Sequence, residues 1–79
     1  MTAAISFDKE LDAKGLSCPL PILRAKKALA DMTSGQVLKI VATDPGSIRD
    51  FRAFAKQTGN ELLAQEEADE LFVHFLKRR

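Results

Sequence analysis

The chain has 79 residues, 46% of them hydrophobic and 29% charged, with four Gly and three Pro. That length admits one domain whose small core buries about 60% of the unfolded chain's surface, and the composition excludes a disordered polymer. Twelve basic against eleven acidic residues leave a formal net charge of +1, which excludes the broad basic footprint of a general nucleic-acid binder, so no direct DNA binding is expected.

Cys18 is the single cysteine and His74 the single histidine. No intrachain disulfide, Cys-x-x-Cys redox pair or cysteine-based zinc site is therefore open to the chain, and no metal or other cofactor is expected. The sequence starts with a mixed polar segment and contains no long apolar run, which predicts a cytoplasmic protein with no membrane partner. Residues 1–4 read as a loose N-terminus and Lys77-Arg78-Arg79 as a solvated charged tail.

From Ile5 the residues alternate. Ile5, Phe7, Lys9 and Leu11 fall on one side, with Ser6, Asp8, Glu10 and Asp12 on the other, which predicts a half-buried strand. Gly15 breaks the run. Beyond Pro21 the period becomes helical: Ile22, Ala25, Leu29 and Met32 form an apolar stripe, and Arg24 and Lys27 lie outside it. Gly35 is placed to cap the C-terminus of this helix.

Val37 to Ala42 is a dense aliphatic run that reads as a central strand. Asp44-Pro45-Gly46-Ser47 then opens a second helix. Either Asp44 caps it with Pro45 at the first position, or Ser47 caps it with Asp50 three residues on. That helix should bury Ile48, Phe51 and Ala55, expose Arg49, Arg52 and Lys56, and stop at Gly59. Two further strands are expected near 61–66 and 70–76, the second with apolar groups on both faces. The order βαβαββ predicts an α/β two-layer sandwich, a four-stranded mixed sheet with two helices packed on one face.

The informative feature is the position of Cys18, between a strand and a helix and directly before Pro19-Leu20-Pro21. If the helix begins at Pro19, Cys18 is its N-cap and its sulfur meets the positive end of the helix dipole, which would lower the thiol pKa. If it begins at Pro21, Leu20 is the cap. Both prolines stiffen a loop that displays the cysteine. Hydrolysis needs a base beside the thiol, and His74 reads as a packed or edge residue of the last strand. What remains is chemistry that needs one accessible sulfur: accepting a sulfur atom as a persulfide, passing it on, or sensing oxidants.

Leu11-Asp12, Gly15 and Cys18-Pro19-Leu20-Pro21, with the later Ala42-Thr43-Asp44-Pro45-Gly46-Ser47, Arg49-Asp50 and Gly59, resemble the signature of the TusA-like (SirA-like) sulfur-carrier family. The likeness runs from about Ile5 to the C-terminus. It implies a βαβαββ sandwich in which Cys18 carries a persulfide. The sulfur would come from a donor protein such as a cysteine desulfurase or a rhodanese. It would pass to an acceptor protein, DsrE/TusD-like or similar, in tRNA thiolation, molybdenum-cofactor maturation or sulfur oxidation; tRNA would be met only indirectly. In that sense the chain would be a sulfurtransferase. Gly15, Pro19, Leu20 and Pro21 would support the site, and Arg24, Lys27, Asp44, Pro45, Arg49, Asp50 and Arg52 are candidates for partner binding. Two other readings compete: a redox-sensing or regulatory interaction module using the same cysteine, and a small RNA-binding domain. The low charge, the absence of Trp and Tyr, and five Phe at positions that read as core argue against RNA.

Overall fold

The computed structural model describes residues 5–79, so the N-terminal tetrapeptide read as a loose end lies outside the described residues. The elements run β1 (Lys9–Ala13), α1 (Leu20–Ala30), β2 (Val37–Ala42), α2 (Ser47–Thr58), β3 (Glu61–Ala68) and β4 (Leu71–Lys77). The expected βαβαββ order is observed. The sheet order is β1-β2-β4-β3, with β1 parallel to β2 and the other pairs antiparallel, hence a mixed sheet.

Strand alternation sets the layers. Leu38 and Ile40 of β2, Leu76 of β4 and Ala13 of β1 are buried on one face, together with Ala25, Ala28 and Leu29 of α1 and Phe51, Phe54 and Ala55 of α2. One core thus lies between the sheet and two helices, as the periodicity predicted, but Ile48, expected inside it, is only half-buried, and Phe54, one turn beyond Phe51 along the helix face, takes part instead. Phe51 is wholly buried, and truncating such a ring to Ala costs about 3–5 kcal/mol.

The N-terminal alternation extends less far than expected. The first strand begins at Lys9, and Asp8 breaks its phase: its backbone N–H donates to the Val37 carbonyl while its carboxylate accepts from the Val37 N–H, both at 2.8 Å. Leu11 packs against the helix-covered core. Phe7 instead lies over Phe75, with ring centroids 6.4 Å apart, and carries the Lys39 ammonium 5.1 Å from its own ring. It is 43% exposed, which corrects its reading as a core position.

The helix ends also differ. Asp31, not Gly35, closes α1; Gly35, at φ +89°, shapes the turn into β2. At the start of α2 neither expected cap is used. Gly46 occupies the cap position with no side-chain cap, because Asp44 and Ser47 are engaged elsewhere. Gly59 does close α2, at φ +82°, donating its N–H to the Ala55 carbonyl at 2.9 Å. The C-terminal cations are not a free tail. Lys77 ends β4, Arg78 bonds through its backbone to Gly35 and Gln36 and through Nε to the Leu29 carbonyl, and the Arg79 N–H donates to Asn60 Oδ1.

Candidate sulfur-transfer site

Ser17 to Leu20 form a tight turn closed by the Leu20 N–H on the Ser17 carbonyl at 2.8 Å, with Pro19, joined by a cis peptide bond, at its third position. The turn runs directly into α1, whose cap is Pro19 and whose first residue is Leu20. The helix therefore starts between the two expected positions, and neither Cys18 nor Leu20 caps it. Cys18 is exposed and unpaired. Pro21 is buried against the core, whereas Leu20 and Leu23 stand exposed beside the cysteine loop.

A second loop, between β2 and α2, holds the first in place. Gly15, at φ +81°, donates its N–H to Thr43 Oγ1 at 2.9 Å. The Cys18 N–H donates to Asp44 Oδ2 at 2.9 Å, while Asp44 Oδ1 accepts from the Gly46 N–H at 3.1 Å. One carboxylate thus fixes both the cysteine backbone and the turn into α2, which is why it does not cap that helix. The N-terminal ends of α1 and α2 meet at Cys18. Thr43 is a site residue that sequence reasoning passed over. Its signals were its place before an Asp-Pro-Gly turn at the end of a strand and its inclusion in the family-like stretch Ala42 to Ser47, neither of which gave it a role.

The electrostatics reverse one expectation. The Asp50 carboxylate, by favouring the protonated thiol as a hydrogen-bond donor, pushes the Cys18 pKa above its ordinary value. Desolvation and the charges of Asp50 and Asp44 add to this, and only Arg49 opposes it. The helix dipole was expected to lower that pKa, but two full negative charges outweigh a terminus worth roughly half a charge. Cys18 at rest is therefore a thiol.

Of the other expected site residues, Pro45 lies on the second loop, and Arg49 and Asp50 lie on the first turn of α2, where their charges act on Cys18. Arg24 and Lys27 are exposed on α1 and line an open groove with Lys9 and Leu11 of β1. Arg52 is exposed but held, since its Nε donates to Gln65 Oε1 at 3.0 Å. Among the described residues no group of His, Cys, Asp and Glu is placed to hold a metal ion.

The family model described as Sulfurtransferase TusA matches residues 9–78. The chain belongs to the TusA family. It is 66% identical over 73 residues to the sulfur carrier protein TusA of Allochromatium vinosum, covering 92% of this chain and 95% of that one. It is 35% identical to the sulfur carrier protein TusA of Pseudomonas syringae over 95% of this chain and 89% of the other. Among solved structures, the SirA-like protein of Desulfitobacterium hafniense superimposes with a TM-score of 0.79 at 28% identity, covering 89% of this chain and 96% of that one. The TusA-family resemblance and the sandwich fold are both borne out.

Proposed function

We propose that this TusA-family chain works as a sulfur carrier in which Cys18 is the loaded residue. The observation that carries the reading is the single cysteine, exposed on a loop that Thr43 and Asp44 hold rigidly where the two helices begin. The carrier function follows from family membership; the residue assignment is our own.

In the scheme, Cys18 loses its proton and attacks the outer sulfur of a donor's persulfide. The sulfur–sulfur bond of the donor breaks, its thiolate leaves, and Cys18 becomes Cys18–S–SH. A thiolate of the acceptor then attacks that outer sulfur and Cys18 returns to the thiol. No net oxidation occurs, because the sulfane sulfur only changes its bearer. The carboxylates of Asp44 and Asp50 raise the free energy of any anion on this loop. They therefore keep the empty carrier protonated, and the Cys18 thiolate released on discharge takes up a proton at once.

We further propose a cysteine desulfurase or rhodanese as donor, a DsrE/TusD-like protein as acceptor, and a cytoplasmic location. No helix among the described residues is long and apolar enough to cross a membrane. Arg24, Lys27 and Arg49 give an acidic partner a complementary rim, while Leu20 and Leu23 offer it apolar contact near the cysteine.

The test is an intact-mass measurement under non-reducing conditions after incubation with a cysteine desulfurase and cysteine, then with a rhodanese and thiosulfate. One added sulfur on the native chain, released by reductant and absent from Cys18→Ser, is expected. No added sulfur from either donor would sink the assignment.

A further inference from the structure

A chain of hydrogen bonds runs from the surface of α2 through β3 and β4 back to the start of α2. Its outer end is Arg52, whose Nε donates to Gln65 Oε1. A guanidinium only donates, so Gln65 is fixed with its amide nitrogen inward. That nitrogen donates to the Ile48 carbonyl at 2.9 Å and reaches His74 Nδ1 at 3.1 Å. Nδ1 must then accept, which leaves the proton on Nε2, and Nε2 donates to Ser47 Oγ at 2.9 Å. His74 and Ser47 are 0% and 1% exposed, and the imidazole lies 4.6 Å from the Phe51 ring. Each donor and acceptor in the chain has one sense only.

Ser47 and Ile48, the first two residues of α2, directly follow Gly46, whose N–H shares the Asp44 carboxylate with the Cys18 N–H. The next two are Arg49 and Asp50, whose charges act on the Cys18 thiol. Both inner ends of the chain therefore grip the turn that carries this pair. We propose that Gln65 and His74 are positioning residues for sulfur transfer, holding the first turn of α2 so that Asp50 and Arg49 meet Cys18 in a fixed geometry. The proposal rests on Cys18 being the sulfur-bearing residue. Neither Gln65 nor His74 touches the sulfur; they act through Ser47 and the Ile48 carbonyl. A buried network with one hydrogen-bonding sense is suited to this task, since slack in the turn changes the distance at which Asp50 meets the thiol.

The test uses the full chain with Gln65→Leu, which removes the inward donor, and Ser47→Ala, which removes one buried oxygen. Cys18 alkylation by iodoacetamide is followed against pH, and sulfur uptake from a desulfurase is timed. Release of the turn weakens the hold of Asp50, so the alkylation midpoint of both variants is expected to fall toward that of a free thiol, about 8.5. Sulfur uptake, compared at a pH above both midpoints so that the thiolate fraction is equal, should slow roughly tenfold or more. A role confined to packing would move the melting temperature and leave the midpoint in place; that result, with native uptake rates, overturns the proposal. Independently of any variant, the ¹⁵N shifts of His74 in the native protein must report a proton on Nε2, and a proton on Nδ1 overturns the network. Native protein that takes up no sulfur would instead remove the carrier assignment on which the proposal rests.

Discussion

Cys18 is shaped by its neighbours more than by its own place in the chain. Its flanking prolines give it a stiff, exposed loop, but the sign of its pKa shift comes from Asp50 and Asp44, residues more than 25 positions away in sequence. Asp50→Asn keeps the size of the side chain and removes the charge. The thiol pKa should therefore drop, and alkylation of Cys18 at pH 7 should speed up severalfold. Stopped-flow or mass-resolved alkylation across pH checks this; an unchanged midpoint would mean that Asp50 does not set the state of the sulfur. The cysteine, Pro19 and Pro21 could be read directly from the sequence. Asp44 could not be read correctly, because an Asp before Pro-Gly has the local signature of a helix cap. Only the approach of the other loop shows that it serves the Cys18 backbone.

The elements were legible wherever hydrophobic period was clear, as in β2 and α2. They were misread where a single residue changes the phase. Asp8 turns Phe7 to the opposite face from Leu11. In β3, whose faces were left unassigned from sequence, a bulge between Leu62 and Ala64 also shifts the phase: Leu62 pairs with Leu76 and Gln65 with His74, so an even and an odd residue share the core face. Without that bulge Gln65 would point away from the helices, since side chains alternate along a strand. The β3–β4 connection carries another local cost. Asp69 and Glu70 both have positive φ, 52° and 63°, the conformation of a two-residue turn that favours Asn-Gly. Replacing the pair by Asp69→Asn with Glu70→Gly should raise stability by about 0.5–1 kcal/mol. Urea unfolding would show this as a higher midpoint with the same slope, and a lower midpoint would contradict the turn assignment.

At the scale of the whole molecule, one buried base couples stability to pH. Burial pushes His74 down from 6.5 to about 4, so in the folded protein it stays neutral while the unfolded chain takes up a proton. Between those values the unfolded state binds more protons, and stability must therefore fall as the pH falls. The slope is up to about 1.4 kcal/mol per pH unit, and the full contribution is present only above about pH 6.5. Urea midpoints at pH 7.5, 5.5 and 4.5 should decline accordingly, and His74→Phe should flatten the decline below 6.5. Parallel declines in the two proteins would show that some other group governs the acid limb. The same histidine ties β4, β3 and α2 together, which gives a reason for a central strand of a small core to accept an imidazole.

The sequence by itself determined the order of elements, the side of each helix that faces the sheet, the loop that displays the sulfur and the family signature. All of these are set by period, turn chemistry and residues close in sequence. The tertiary structure alone decided the electrostatics of the site and the network behind it. Thr43 and Asp44 meet Gly15 and Cys18 only because β1 and β2 lie side by side in parallel register. Gln65 reaches His74 only because a bulge resets the face of β3. Register and bulges depend on pairing between distant segments, and no local pattern of hydrophobicity or charge encodes the distance at which two such segments meet.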